Sequence, residues 1–376
     1  MSNSIQKYIR SKIEERKTEN NFRSLKIIKG LVDFCSNDYL GFARDSELKR
    51  RVDEEVKTHP EFLLGSTGSR LLSGNSQYAG ELENFIAQFH NSESALLFNS
   101  GFDANYGLLS ALPYKGDTIL YDDLVHASIH DGINKSKASG VSFSHNNIAE
   151  LEQKIKSATG LKYVVVESVY SMDGDFAPLK EIADLCEKYD AGLIVDEAHA
   201  TGIFSEKGEG RVQQLKLEDK CLARVHTFGK ALGAHGAVIL CPNDLKDFLI
   251  NYARPFIFST GLPFHSLANI KCAYQYLPKV NDRRKKLFYL VNLLHQNLKF
   301  TSKFELTPSE SPIQSVIISG NQDVKSFAEK IQSQGFDVRP ILYPTVAKGK
   351  ERIRVCIHSF NTDKEVIKLA QLISSL

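Results

Sequence analysis

The chain predicts an α/β fold: a large domain on a mostly parallel central sheet, then a small C-terminal α+β domain. Two patterns point to it. Short β-branched and aliphatic runs alternate with helix-period stretches through the middle of the chain, and near the C-terminus the order becomes strand, helix, strand, helix. Alternation of this kind implies right-handed crossovers and a parallel sheet with helices on both faces. The core is affordable in composition, since 42% of the 376 residues are hydrophobic and 24% are charged, as in soluble globular proteins generally.

The elements follow in order. The first forty or so residues read as a helix plus a short β element, an arm rather than a domain. Residues 98–105 read as a strand-to-helix turn. Tyr163, Val164, Val165 and Val166 form a buried strand, and 178–189 an amphipathic helix with Leu179, Ile182, Ala183 and Leu185 on one face. Residues 192–195, 224–227 and 236–241 are further strands. A long helix is expected over 282–300, a strand over 312–318, a helix over 324–335, a strand over 352–357 and a last helix over 362–376. The expected division is an arm (1–40), a large domain (41–278) and a small domain (279–376).

Charge narrows the function classes. Lys plus Arg number 47 against 45 Asp plus Glu, a net charge of +2, which gives no broad attraction for nucleic acid or an anionic membrane. Cys35, Cys186, Cys221, Cys241, Cys272 and Cys356 include no C-x-x-C pair. Reduced, mostly buried thiols are expected, with no disulfide frame and no metal site. Residues 1–20 lack an apolar stretch, and the longest apolar runs are too short to span a bilayer. A cytoplasmic protein is expected.

Three segments can carry chemistry. Gly192-Leu-Ile-Val-Asp196-Glu197-Ala-His199 is a strand ending in a carboxylate, with an imidazole three residues on. Thr227-Phe-Gly-Lys230-Ala-Leu-Gly233 puts a lysine after a strand among small and apolar residues. Phe98-Asn-Ser100-Gly101-Phe102-Asp-Ala-Asn turns from strand to helix through small polar residues. In open α/β sheets ligands sit beyond the carboxyl ends of the strands, so residues just after each strand matter most.

Rival readings fail on missing parts. Asp196-Glu197-Ala198-His199 spells the metal-binding box of DEAH helicases, but that chemistry needs an upstream G-x-x-x-x-G-K-[ST] loop, and the Gly-Lys pairs at 229–230 and 349–350 lie downstream without Ser or Thr after them. His126 and His130 have metalloprotease spacing, but Ala127 stands where H-E-x-x-H needs Glu. No G-x-S-x-G elbow is present.

Pyridoxal phosphate accounts for all three segments together. It needs a lysine for the Schiff base, a carboxylate on the pyridine nitrogen and a helix start for the phosphate. Lys230, Asp196 and Ser100-Gly101 fill those roles. Singly, each has a plainer reading: a lysine is usually a solvated surface charge, an Asp after a strand often a turn residue, and His126 equally a satisfied core histidine. Their joint order, phosphate seat then Asp then Lys, is that of the aspartate-aminotransferase-like fold (fold type I).

Longer motifs extend the match. Asn37-Asp38-Tyr39-Leu40-Gly41, Gly65-Ser-Thr-Gly68-Ser-Arg70-Leu-Leu-Ser-Gly74, Val125-His126-Ala-Ser128 and Glu167-Ser-Val-Tyr-Ser171-Met-Asp-Gly174 precede the Asp196 and Lys230 segments. Phe258-Ser259-Thr260, Tyr343-Pro344-Thr345-Val346 and Arg352-Ile353-Arg354 follow them. With these motifs the chain resembles the α-oxoamine synthases, acyltransferases that use pyridoxal phosphate to condense an amino acid with an acyl thioester and lose CO2. The stretches 65–76 and 227–237 are most similar to members serving biotin synthesis, which join L-alanine to a pimeloyl thioester on CoA or a carrier protein. Phe102-Asp103-Ala104-Asn105 is similar to members using glycine and acetyl-CoA. His235 departs from the commoner small residue of its loop.

The resemblance implies roles residue by residue. Lys230 would hold the cofactor covalently and move protons at the substrate carbon, Asp196 would bond the pyridine nitrogen, and His126 would lie against the ring. His199 and Ser171 would bond near the phenolic oxygen. Ser100, Gly101, Phe102 and Thr227 would seat the cofactor, with Thr260 reaching the phosphate of a partner subunit in a homodimer. Arg354 would clamp the amino-acid carboxylate bidentately, and Asn37, Thr345 and Arg23 would complete the substrate site. Two alternatives stay open: another reaction on the same cofactor, such as aldol cleavage or transamination, and a non-catalytic partner subunit, against which the presence of both Lys230 and Asp196 argues.

Overall fold

The computed structural model describes residues 3–25, 27, 29–299 and 305–375. The chain divides into two compact units, Asn37–Ser171 with Phe176–Arg284, and Met1–Ser36 with Met172–Asp175 and Lys285–Leu376. The N-terminal segment contributes α1 (Ser4–Thr18), whose first turn is capped by the Asn3 side chain, and β1 (Val32–Asp33).

The larger unit begins with α2 (Ser46–Lys57), α3 (Gln77–Phe89), β2 (Ser94–Phe98), α4 (Gly101–Ala111), β3 (Thr118–Asp122), α5 (Ala127–Lys135), β4 (Ser139–Phe143) and α6 (Ile148–Ser157). It continues through β5 (Lys162–Glu167), α7 (Leu179–Lys188), β6 (Ala191–Asp196), α8 (Arg211–Gln214), β7 (Cys221–Thr227), β8 (Ala237–Cys241), α9 (Asn243–Tyr252), α10 (Arg254–Ile257) and α11 (Phe264–Tyr276). Its seven strands lie in the order β2-β8-β7-β6-β5-β3-β4. The pairs from β4 across to β7 are parallel, and β8 runs antiparallel to both β7 and β2. This is the expected mostly parallel sheet.

Both faces of the sheet are dry. Consecutive residues Tyr163 to Val166 of β5 and Ala237 to Cys241 of β8 are all buried, which a strand shows only when helices cover it on both sides. On α7 the buried stripe is Leu179, Ile182, Ala183 and Cys186, spaced for one helical face. Cys186 therefore takes the place expected of Leu185, which is half-buried against the same core.

Parallel strands share one carboxyl edge, and there the segments singled out above emerge: 99–101 after β2, 123–126 after β3, 168–171 after β5, 197–199 after β6 and 228–230 after β7. The β7–β8 connection is closed by Phe228 N donating to Gly236 O (2.9 Å) and Ala234 N to Phe228 O (2.9 Å), with Lys230 between them in sequence. Gly233 lets this loop turn: its φ is +59°, and a Cβ there would stand 2.3 Å from the backbone N of Ala43. Gly233→Ala is expected to lower stability by about 2–4 kcal/mol, combining a left-handed side chain with an overpacked contact. Urea unfolding checks this; an unchanged midpoint would show that the loop relaxes freely.

The rest of the smaller unit comprises α12 (Asn281–Asn297, begun in the larger unit), β9 (Glu305–Leu306), β10 (Ile313–Ile317), α13 (Asn321–Ser333), β11 (Phe336–Asp337), β12 (Arg339–Ile341), β13 (Arg352–Cys356) and α14 (Asp363–Ser375). Its antiparallel sheet has the order β12-β13-β10-β9, while β1 pairs with β11. The expected ends of two helices, at 300 and 376, lie outside the described residues. None of the six cysteines is in a disulfide. Among the described residues no helix is long and apolar enough to cross a membrane.

Candidate active site

Asp196 ends β6, and its side chain is 6% exposed. Two donors hold it: the backbone N of Ala198 bonds Oδ1 (2.8 Å), and Nδ2 of Asn105 bonds Oδ2 (2.7 Å). Both suit an anion, because a carboxylate accepts and does not donate. Asn105 lies on α4, one turn beyond the helix start, and is itself 3% exposed.

The same Asn105 amide nitrogen also donates to Oγ of Ser128 (3.1 Å), and that hydroxyl pairs with Nδ1 of His126 (2.8 Å). His126 is the N-cap of α5, its Nδ1 accepting from the backbone N of Ser128 at 3.2 Å. A backbone N–H can only donate, so Nδ1 carries a lone pair and the ring proton sits on Nε2. His126 is therefore neutral. Burial of its inner side pushes its pKa below the usual imidazole value, Asp196 opposing this and Lys230 assisting it. The remainder of the ring is exposed.

Lys230 is half-buried, and its charge acts together with that of Asp196 on both His126 and Glu167. The structure thus brings Lys230, Asp196 and His126 into one electrostatic neighbourhood. Glu167 is a residue the sequence reading passed over. It ends β5 in register with Asp196 on β6, so the two side chains leave the sheet on the same face. Glu167 is 2% exposed, and its Oε1 has no hydrogen-bond partner. Burial, then the Asp196 charge, raises its pKa to about 8, against the pull of Lys230 and the backbone N–H of His126. The signal in the sequence was present: two neighbouring apolar strands each end in a carboxylate.

That raised acid has a measurable consequence. Below the unfolded value of 4.5 both states are protonated and stability is complete. As pH rises toward about 8, the unfolded chain releases the Glu167 proton and the folded one keeps it, so stability falls. At ~1.4 kcal/mol per pH unit the loss is on the order of a few kcal/mol. Apoprotein carrying Glu167→Gln should match wild type in unfolding midpoint below pH 4.5 and exceed it at pH 8. A gap that stays constant with pH would remove Glu167 from this role.

The start of α4 forms the third part. Ser100 Oγ caps the helix by accepting from Asp103 N (3.0 Å) and donates to Asp103 Oδ2 (2.8 Å), so its hydroxyl serves the cap. Gly101 and Phe102 stand in the first turn, where backbone N–H groups lack intrahelical acceptors. A Cβ on Gly101 would lie 3.4 Å from both Cβ and Oγ1 of Thr227, so only glycine leaves the helix start open toward that buried hydroxyl.

The other expected residues fall into two groups. In the larger unit, His199 is buried and its Nδ1 pairs with the Tyr39 hydroxyl (2.8 Å), which also donates to Oδ1 of Asn37 (3.2 Å). Tyr39, fully buried, was missed as a link between the two. Ser171 is buried, and Thr260 is exposed with its carbonyl held by Asn99 Nδ2 (2.9 Å). His235 is exposed to solvent. In the smaller unit, Arg23 donates to Oγ1 of Thr345 (3.0 Å), and Arg354 lies on β13 between Ser315 and Arg339.

Two carboxylate sets that could suggest a metal have structural work instead. Glu197 accepts from the backbone N of Arg211 and Val212, 3.2 Å each, at the start of α8. Asp122 lies near Asp123 and His145, but it accepts from His145 Nδ1 (2.9 Å), Leu124 N (2.9 Å) and Asn146 N (2.8 Å), which locks the turn after β3.

The fold is aspartate-aminotransferase-like, with the polar cluster at the carboxyl edge of its sheet. Residues 29–373 match the family described as aminotransferase class I and II, and the chain belongs to it. The chain is 43% identical to an 8-amino-7-oxononanoate synthase of Emericella nidulans, over 98% of this chain and 94% of that one. Among solved structures it is similar to serine palmitoyltransferase of Sphingomonas wittichii, with a TM-score of 0.90, 26% identity and coverage of 100% and 98%. An 8-amino-7-oxononanoate synthase of Francisella tularensis matches with a TM-score of 0.78, 28% identity and coverage of 93% and 98%. These relatives bear out the resemblance to the α-oxoamine synthases.

Proposed function

We propose that this chain joins L-alanine to a pimeloyl thioester, releasing CO2 and the free thiol and leaving 8-amino-7-oxononanoate, with pyridoxal phosphate as cofactor. One observation carries the reading: Asp196, His126, Lys230 and the Gly101 helix start converge at one edge of one sheet, in a chain 43% identical to an enzyme of that name.

The residues fit the cofactor by their donor set. Asp196 is a buried acceptor held as an anion, suited to a protonated ring nitrogen, and the Gly101–Thr227 cradle offers N–H groups and a hydroxyl to a phosphate. The exposed part of the neutral His126 ring suits an aromatic face. His199 and Ser171 supply polar groups for the phenolic oxygen. When bound, pyridoxal phosphate supplies a protonated ring that takes up the electron pair left when a bond to the substrate α-carbon breaks. Lys230 Nζ would hold the cofactor and would move the proton at the α-carbon of alanine. In the net change, a bond forms between the alanine α-carbon and the thioester carbonyl carbon. The C–S bond breaks to free the thiol, the carboxylate leaves as CO2, and the α-carbon regains a proton.

We further infer that two copies associate, with Thr260 reaching the cofactor phosphate of the other copy. Leu71, Leu72 and Phe258, which are 49%, 84% and 70% exposed, form apolar surface suited to such a contact. The assay that tests the function crosses alanine, glycine and serine with pimeloyl-, acetyl- and palmitoyl-CoA and reads thiol and CO2 release. Alanine with the pimeloyl thioester should dominate by at least about tenfold in kcat/KM, a pocket preference of about 1.4 kcal/mol. Best turnover with glycine and acetyl-CoA, or turnover without any thioester, would overturn the substrate assignment.

A further inference from the structure

Asn105 is not among the expected cofactor contacts, yet it bonds one of them, Asp196, directly and bonds the support of another, His126. Its Nδ2 has two hydrogens, one directed to Asp196 Oδ2 (2.7 Å) and one to Ser128 Oγ (3.1 Å). Ser128 is fully buried, accepts from Asn105 and passes its own hydrogen to His126 Nδ1 (2.8 Å), beside the backbone donor at 3.2 Å. The polarity is consistent along the whole line, since each donor meets an acceptor. Asn105 can serve both only because α4 and α5 pack side by side.

We propose that Asn105 and Ser128 are positioning residues, a buried two-residue relay that holds Asp196 as an anion and fixes His126 as the neutral tautomer protonated on Nε2. The inference rests on the functional reading above only in what the two held groups then do to the cofactor. Because the Nδ1 lone pair is filled by two donors, the ring cannot flip without losing both. Because Asn105 sits on the helix that begins at Gly101, one rigid element would set the phosphate seat and the nitrogen partner together. Asparagine is the residue type for the junction: aspartate would face Asp196 with a second negative charge, and leucine would leave Asp196 and Ser128 each short of a bond.

The test uses full-length apoprotein with ¹⁵N-labelled histidine, in wild type, Ser128→Ala, Ser128→Thr and Asn105→Ala. Asp196, Lys230, His130, Asp131 and the His126-facing Glu167 are unchanged in all of them. Wild-type His126 should show Nδ1 bare and Nε2 protonated. Ser128→Ala should raise its titration midpoint by about one pH unit and mix the tautomers, because a bond specific to the neutral form is lost. Ser128→Thr, which keeps the hydroxyl, should restore the wild-type signature. Asn105→Ala should move the same signal without touching His126, and in the holoenzyme should weaken pyridoxal phosphate binding roughly tenfold, the effect of about one lost buried hydrogen bond. A wild-type ring protonated on Nδ1, or variants that titrate as wild type, overturns the relay. Wild-type protein that shows the expected tautomer but binds no pyridoxal phosphate instead overturns the functional reading and leaves the relay standing.

Discussion

Replacing Lys230 with alanine is expected to cut turnover by ~10⁴-fold or more, because in the proposed function one amine is both covalent anchor and proton carrier. Borohydride treatment followed by mass spectrometry should find no cofactor fixed to the variant, whereas wild type carries it at position 230. The fold should survive. Lys230 is half-buried in a loop closed by backbone bonds from Phe228 and Ala234, so its side chain is no part of the core. An unchanged reducible adduct in the variant would sink the assignment of this lysine.

The second large effect is at Asp196. Asp196→Asn should retain the lysine adduct but lose ~10²–10³-fold in kcat, the cost of removing a preorganised charge from a water-poor site. The pocket around it has little tolerance for an amide. Asn105 and the Ala198 N–H both donate toward the carboxylate oxygens, so one oxygen position would meet a donor with a donor. The variants are distinguishable, since one loses the bond to protein and the other keeps it with little chemistry. Turnover within about threefold of wild type in Asp196→Asn would contradict the role given to this carboxylate, for which even one lost pKa-scale interaction is worth about tenfold.

Much of the site was readable along the chain because each part is local. A strand that stops at Asp196, a lysine three residues beyond the strand ending at Thr227 and a helix that starts at Gly101 each announce themselves within a few residues. The strand alternation also implied one shared carboxyl edge, so three local signals could be joined into one site. The Asp196-Glu197 pair illustrates the limit. Both are carboxylates beside an apolar run, but alternation sends them to opposite sides, one to Asn105 and the other to the backbone of α8.

The supporting residues were not readable in this way. Tyr39 meets His199 across 160 residues, and Asn105 meets Asp196 across 91. Both fall inside motifs that mark the family, but nothing near Tyr39 or Asn105 in sequence names the distant partner each one meets. Glu167 looked like the end of a strand, and only the neighbouring strand's Asp196, with burial, turns it into an acid that keeps its proton near neutral pH.

By itself, then, the order of residues determined the strands, the caps and turns at their ends, and which side chains stand where a ligand can reach. Those are consequences of backbone preference and of apolar periodicity, both short in range. Which tautomer His126 adopts, which carboxyl stays protonated and which amide holds Asp196 were decided by packing alone. Proton affinity and hydrogen-bond polarity depend on neighbours a few ångströms away in space, and the folded chain supplies those neighbours from distant parts of the sequence.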